Sequence, residues 1–166
     1  MEIRITELDA ALIPKARALV AMVFPEQSFD EKISFWVYTR RKNPVMKFLL
    51  KLYGSMGIYQ YWVALDENDN ICGTTGIYSV NKDVHEAIWL SWFCVAPEMR
   101  GKGVGKLLLE FSIDIAKGLG KKYLRLYTSD DPNEAAAQGL YDKYGFDIVS
   151  KKNKGTHTII YREKVL

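Results

Sequence analysis

The sequence predicts a mixed α/β domain, and three observations carry that prediction. Two strand-like runs, the first rich in aromatic and β-branched residues, flank a tight polar turn in the front half, as YQYWVAL, DENDN and ICGTTGIYSV. A nearly continuous apolar run, EAIWLSWFCV (86–95), reads as a central strand with both faces covered. The back half then alternates strand and helix, each turn punctuated by glycine or proline, giving a βαβαβ order.

The elements follow in chain order. In EIRITEL, Ile3 and Ile5 alternate with polar neighbours, which marks a short first strand. Asp9 can cap a helix over about 10–23, but Pro14 sits too far in for the first helical position, so the helix begins nearer Leu12. FPEQSFDEK is a loop punctuated by Pro25 and Ser28. A second helical stretch, DEKISFWVYTRRK, breaks at Asn43–Pro44 and resumes as VMKFLLKLYGSMG. The hairpin strands span 59–65 and 71–80, and NKDVH leads into the central strand. On the helix that follows, Val104, Leu107, Leu108, Phe111 and Ile115 share one face, the predicted buried one, and Gly118 and Gly120 end it. KYLRLYT (122–128) is the next strand, then a helix within SDDPNEAAAQGLYDKYGF that stops at Gly145. FDIVSK and THTIIYREKV supply the closing strands.

Composition narrows the class. A chain of 166 residues, 48% hydrophobic and 26% charged, suits one soluble domain over 1–166 that needs no metal or disulfide staple. A net charge of +3 favours an anionic ligand but is too small and dispersed for nucleic acid. Cys72 and Cys94 lie in apolar runs without CxxC spacing, which points to a reducing compartment and no metal site. No signal pattern and no run of about 18 apolar residues is present, so a cytoplasmic location is expected.

The stretch RGKGVGK (100–106) carries the chemistry. A Walker loop would need glycine where Arg100 stands and a hydroxyl where Leu107 stands. A dinucleotide fingerprint would need a third glycine at Lys106 and a first strand before it. The pattern that fits is RxxGxG: Arg100, Gly103 and Gly105 between a buried strand and a helix start. There the glycines turn successive N–H groups toward one concavity, and the helix dipole favours an anion. Side chains at 103 or 105 would obstruct a pyrophosphate, while Lys102 and Lys106 add positive potential.

WFCVAPEMRGKGVGKLLL resembles the central motif of the GNAT superfamily of acyl-CoA-dependent N-acetyltransferases, and GLYDKYGF (139–146) resembles its second motif. The resemblance covers roughly 60–150 well, and the N-terminal third in element order alone. It implies a central, mixed, mostly antiparallel twisted sheet of about six to seven strands, flanked by about four helices, with two central strands splayed. Those strands would be 86–95 and 122–128. It implies acetyl-CoA as co-substrate, no metal, and a primary amine, favoured as a small molecule, as acceptor. Protein N-terminal or lysine acetylation and non-catalytic acyl-CoA sensing are the alternatives, and a homodimer is left open.

The same resemblance assigns residues. The backbone of Phe93, Cys94 and Val95 would bind the pantetheine arm, and an N–H near Cys94 would hold the oxyanion. Arg100, Gly101, Lys102, Gly103, Val104, Gly105 and Lys106 would hold the pyrophosphate. Tyr141 would protonate the departing thiolate, since a phenol (about 10) holds its proton where a thiol (about 8.5) is giving it up. From the residues alone, Tyr141 shares a helix face with Ala137, Leu140 and Tyr144 and reads as core. The family's pantetheine-contacting Asn falls at Glu134 here, which leaves neighbouring Asn133 as the candidate. The family's strand glutamate falls at Trp89, so water, Glu86 or Glu26 are the candidate routes for the amine proton.

Other constellations yield to simpler readings. His85 and Cys94 lie on one strand some 30 Å apart, too far to form a nucleophile–base pair. His157 fits strand alternation in THTIIY. The aromatic, basic stretch 35–53, with Phe35, Trp36 and Tyr38, is expected to form a lid over the acceptor, and membrane contact is not expected.

Overall fold

The computed structural model describes residues 2–25, 27, 29–52 and 60–166. Its strands are β1 (Arg4–Glu7), β2 (Gln60–Leu65), β3 (Ile71–Tyr78), β4 (Ala87–Val95), β5 (Tyr123–Ser129), β6 (Asp147–Asn153) and β7 (Thr158–Val165). They pair in the order β1-β2-β3-β4-β5-β7-β6, antiparallel everywhere except between β4 and β5. The βαβαβ order is thus interrupted in space, because β7 inserts between β5 and β6.

The described helices are α1 (Ile13–Val23), α2 (Phe29–Arg40), α3 (Pro44–Leu52), α4 (Val104–Gly118) and α5 (Ala135–Lys143). The predicted break at Asn43–Pro44 separates α2 from α3, and the Asn43 side-chain oxygen accepts the N–H groups of Val45 (2.9 Å) and Met46 (3.4 Å). Asp9 accepts the N–H of Leu12 at 2.9 Å and fixes the start of α1, with Pro14 inside its first turn.

Strand alternation divides the core in two. Tyr61, Val63 and Leu65 of β2 pack with Leu19, Val20 and Val23 of α1 and Phe35 and Tyr38 of α2. Their neighbour Trp62 points the other way, where Ile88, Leu90, Leu124 and Leu126 meet Leu109, Ile113 and Ala116 of α4 and Tyr141 of α5. The buried face of α4 differs from the predicted one: Val104, Leu108, Leu109, Ser112, Ile113 and Ala116 are buried, and Leu107 is exposed. The reason is polar. Ser112 points inward, its hydroxyl hydrogen-bonded to Thr75 at 2.7 Å and donated to the Leu108 carbonyl at 2.8 Å, so the stripe is rotated from the purely apolar one.

Between β3 and β4 the register shifts: Thr74 faces Cys94 and Gly76 faces Ser91, so β4 carries one extra residue. Trp92 absorbs it at φ 44°, a left-handed conformation that costs a bulky residue about 1–3 kcal/mol. Packing holds it there. Its indole N–H donates to Ser34 of α2 at 2.8 Å, its ring stacks on Phe35, and its carbonyl accepts the Thr74 hydroxyl at 2.6 Å.

Candidate active site

β4 and β5 pair over three rungs: Ala87 with Tyr123, Ile88 with Leu124, Trp89 with Arg125. Beyond the last rung, β4 continues to Val95 against β3 while β5 continues to Ser129 against β7. The two strands therefore open into a wedge whose facing edges keep unpaired backbone groups, the template for an added extended segment.

One buried carboxylate closes the apex of the wedge. Asp83 accepts the Trp89 indole N–H at 3.0 Å and the Arg125 guanidinium at 2.6 Å, tying both residues of the last rung. Arg125 also reaches Glu163 of β7 at 2.6 Å and Glu86 at 3.1 Å. Glu86 is thus an exposed residue leading into the paired end of β4, with its carboxylate on Arg125. Glu26, the other candidate base, lies outside the described residues.

At the other end of β4 lies the glycine loop. Gly101 (φ 73°) and Gly103 (φ 86°) are left-handed, and no protein atom comes within 4 Å of where a side chain on either would start. Their need for glycine within the protein is therefore conformational. A Cβ on Gly105 would meet Val95 and Leu140 at ordinary contact, so the protein itself would tolerate it. The first turn bond of α4 runs from the Leu107 N–H to the Gly103 carbonyl, which leaves the N–H groups of Val104, Gly105 and Lys106 without a backbone acceptor. Val104 is buried, whereas Arg100, Lys102 and Lys106 are exposed around the loop. The Arg100 Nε–H lies 3.4 Å from the Val95 carbonyl and links loop to strand. This cradle fits a pyrophosphate.

Tyr141 sits beside the wedge. Its ring is 4% exposed and packs on Phe93 of β4 and on Phe146. Among the described residues nothing hydrogen-bonds its hydroxyl, and no unpartnered polar side-chain atom is sealed from solvent, so the hydroxyl faces accessible space. Burial, then the Glu134 carboxylate, pushes its pKa well above the usual phenol value, against the opposing charge of Arg162. Arg162, itself buried on β7, binds Gln138 and Asp142 on either side of Tyr141 along α5, with its guanidinium 5.9 Å from the Tyr141 ring centre.

Two further residues gain definite positions. Glu134 precedes α5, and its carboxylate accepts the Thr128 hydroxyl (2.6 Å) and both the N–H (2.9 Å) and the hydroxyl (2.7 Å) of Ser129, pinning the end of β5. Asn133 is exposed, with its backbone N–H held by Asp131. Cys94 is buried against Thr74, and burial lifts its thiol to about 11, so it remains a neutral thiol.

The lid differs from expectation: Phe35 and Tyr38 are buried in the core against Tyr61, and Trp36 faces solvent. In their place, on the sheet face opposite α4, the rings of Tyr78, Trp89, Tyr161 and Tyr127 follow one another at 6.2, 6.5 and 6.3 Å. Sequence reasoning passed over Asp83, Arg125 and Glu163, whose shared role depends on strands that meet only in the fold.

The sheet thus opens at its parallel junction, with the glycine loop at the mouth and the Tyr141 phenol alongside. Residues 57–148 match the family model of the acetyltransferase (GNAT) domain, and the chain belongs to that family. It is 32% identical over 119 residues to Probable N-acetyltransferase 14 of Xenopus tropicalis, covering 72% of this chain and 55% of that protein. The chain spans about half or less of the length of the curated relatives it matches. Its fold matches a GNAT-family structure from Desulfovibrio desulfuricans with a TM-score of 0.75, at 15% identity over 99% of both chains. It also matches a GNAT acetyltransferase from Elizabethkingia anophelis solved with acetyl-CoA bound, with a TM-score of 0.65, at 21% identity over 99% and 98% of the two chains.

Proposed function

We propose that this chain is an N-acetyltransferase that moves the acetyl group of acetyl-CoA directly to a primary amine. The observation that carries the reading is the wedge: the β4–β5 ladder stops at Trp89 and Arg125, with the cradle and Tyr141 beyond that rung. In this reading Gly101 to Lys106 hold the pyrophosphate, and the free edge of β4 from Phe93 to Val95 pairs with the pantetheine arm. The amine nitrogen attacks the thioester carbon, a backbone N–H near the bulge steadies the oxyanion, and the C–S bond breaks as Tyr141 gives its proton to sulfur. The amine loses its proton to water. Glu86 is held by Arg125, and Glu134 is held by Thr128 and Ser129.

The acceptor reaches the carbonyl from the opposite sheet face, across Tyr78, Trp89, Tyr161 and Tyr127. Such a floor suits a small amine with an apolar or aromatic body. The engaged carboxylates favour one second reading, an acyl-CoA sensor without turnover. Thiol release from acetyl-CoA across small amines and lysine or N-terminal peptides separates them, with Tyr141→Phe alongside. Turnover with a small aromatic amine supports the proposal, acetyl-CoA binding without thiol release favours the sensor, and stabilisation by ATP or NAD but not CoA overturns both.

A further inference from the structure

α3 turns an apolar stripe away from the protein. Val45, Phe48, Leu49 and Leu52 fall at i, i+3, i+4 and i+7, one face of the helix, and they are 66, 61, 38 and 66% exposed. Met46 is buried and Leu50 half-buried, so the protein-facing edge of the helix is a different one. Single exposed apolar side chains are ordinary, but four on one stripe form a contact surface.

Charge identifies what the surface fits. From Ile33 to Leu65 the sequence holds Arg40, Arg41, Lys42, Lys47 and Lys51 and no acidic residue. Arg41 is paired with Glu7 at 2.9 Å, while Arg40, Lys42, Lys47 and Lys51 are exposed. Around the helix, Lys47 and Lys51 lie one turn apart on one edge of the stripe, and Met46 and Leu50 lie on the other. Apolar side chains flanked by lysines suit a bilayer surface: the stripe enters the acyl boundary, and the ammonium groups reach back to the phosphates. A second copy docked through the same face would set these cations against their own images. No helix among the described residues is long and apolar enough to cross a membrane, so the contact lies in the surface plane.

We propose that α3 is an interfacial helix that docks this protein on an anionic phospholipid surface. Co-sedimentation of the full chain with vesicles of phosphatidylcholine, alone or with about 30% phosphatidylglycerol, tests this without reference to acetyl transfer. The expected result is partition to the anionic vesicles about tenfold stronger than to the neutral ones, weakened by salt. Phe48→Ser with Leu52→Ser loses that binding, and Lys47→Gln with Lys51→Gln makes the two vesicle types equal, while both variants keep the wild-type circular dichroism and melting temperature. Three results overturn the proposal. One is no vesicle binding, or binding unchanged in the serine pair. Another is a concentration-dependent dimer that the serine pair dissociates, which assigns the face to a second copy. The last is retention on polyglutamate, without vesicle binding, that the glutamine pair abolishes; this assigns the face to an acidic protein.

Discussion

Tyr141 joins a buried ring to an accessible hydroxyl, and the combination dictates its chemistry. Because burial and Glu134 raise its pKa, the proton stays in place throughout neutral and mildly alkaline solution. Tyr141→Phe should lower kcat about 10²-fold and leave KM for acetyl-CoA within a factor of about two. Wild-type kcat should show no alkaline fall below about pH 10 that the Phe variant lacks. Steady-state kinetics across pH checks both, and unchanged kcat in the variant removes the acid role. At Gly103 the constraint lies in the backbone: at φ 86° an alanine costs about 1–2 kcal/mol. Gly103→Ala should lower the melting temperature and weaken CoA in calorimetry, whereas Gly105→Ala, a site with φ in the ordinary range and room for a Cβ, should lower CoA affinity alone. The glycine turn before α4 and the buried, helical place of Tyr141 were legible in the sequence because local motifs carry them. Asp83 was not, since its partners Trp89 and Arg125 come from two strands and its own position from a turn.

At the scale of elements, the apex of the wedge is a rivet. Asp83→Asn keeps an acceptor for the Trp89 indole and removes the charge that faces Arg125, which retains Glu86 and Glu163. The expected cost is about 1–3 kcal/mol of stability. If the rivet also sets how far β4 and β5 part, kcat should fall about tenfold while CoA affinity, read at the distant cradle, stays within about twofold. Leu19→Ala, a core change on α1 that leaves the Asp83 contacts in place, serves as the control: matched melting loss with full kcat in that variant, and reduced kcat in Asp83→Asn, identifies positioning. Equal kcat in both variants reduces Asp83 to a structural residue. Element types were readable from periodicity, including the break at Asn43–Pro44 and the stops at Gly120 and Gly145, both left-handed. The rotation of α4 was not, because an inward serine looks like a surface residue until Thr75 faces it. The outward stripe of α3 escaped for the opposite reason: periodicity shows that an apolar face exists, and not which way it turns.

For the whole molecule, buried thiols and phenols set the alkaline limit. Burial lifts the Cys94 thiol to about 11 and the Tyr38 phenol to about 12, and raises Tyr141 further. Each is held neutral in the folded state, so the unfolded chain ionises first. Their stabilisation is whole below the ordinary thiol and phenol values, and is lost as pH climbs toward the folded ones. Melting temperature should hold level to about pH 8.5 and then fall. Tyr38→Phe should flatten that fall, and a wild-type melt that stays level to pH 11 would sink the assignment. Strand order was the least legible property, since nothing in THTIIYREKV announces that it belongs between its two predecessors. That insertion has a temporal meaning. β7 forms seven rungs with β5 and six with β6, so both strands wait with open edges until β7 has been synthesised. Neither can finish its sheet before Thr158–Val165 has followed. The wedge-bearing strand β5 then locks late, and a nascent chain stalled before Thr158 would offer those edges to chaperones or to other chains.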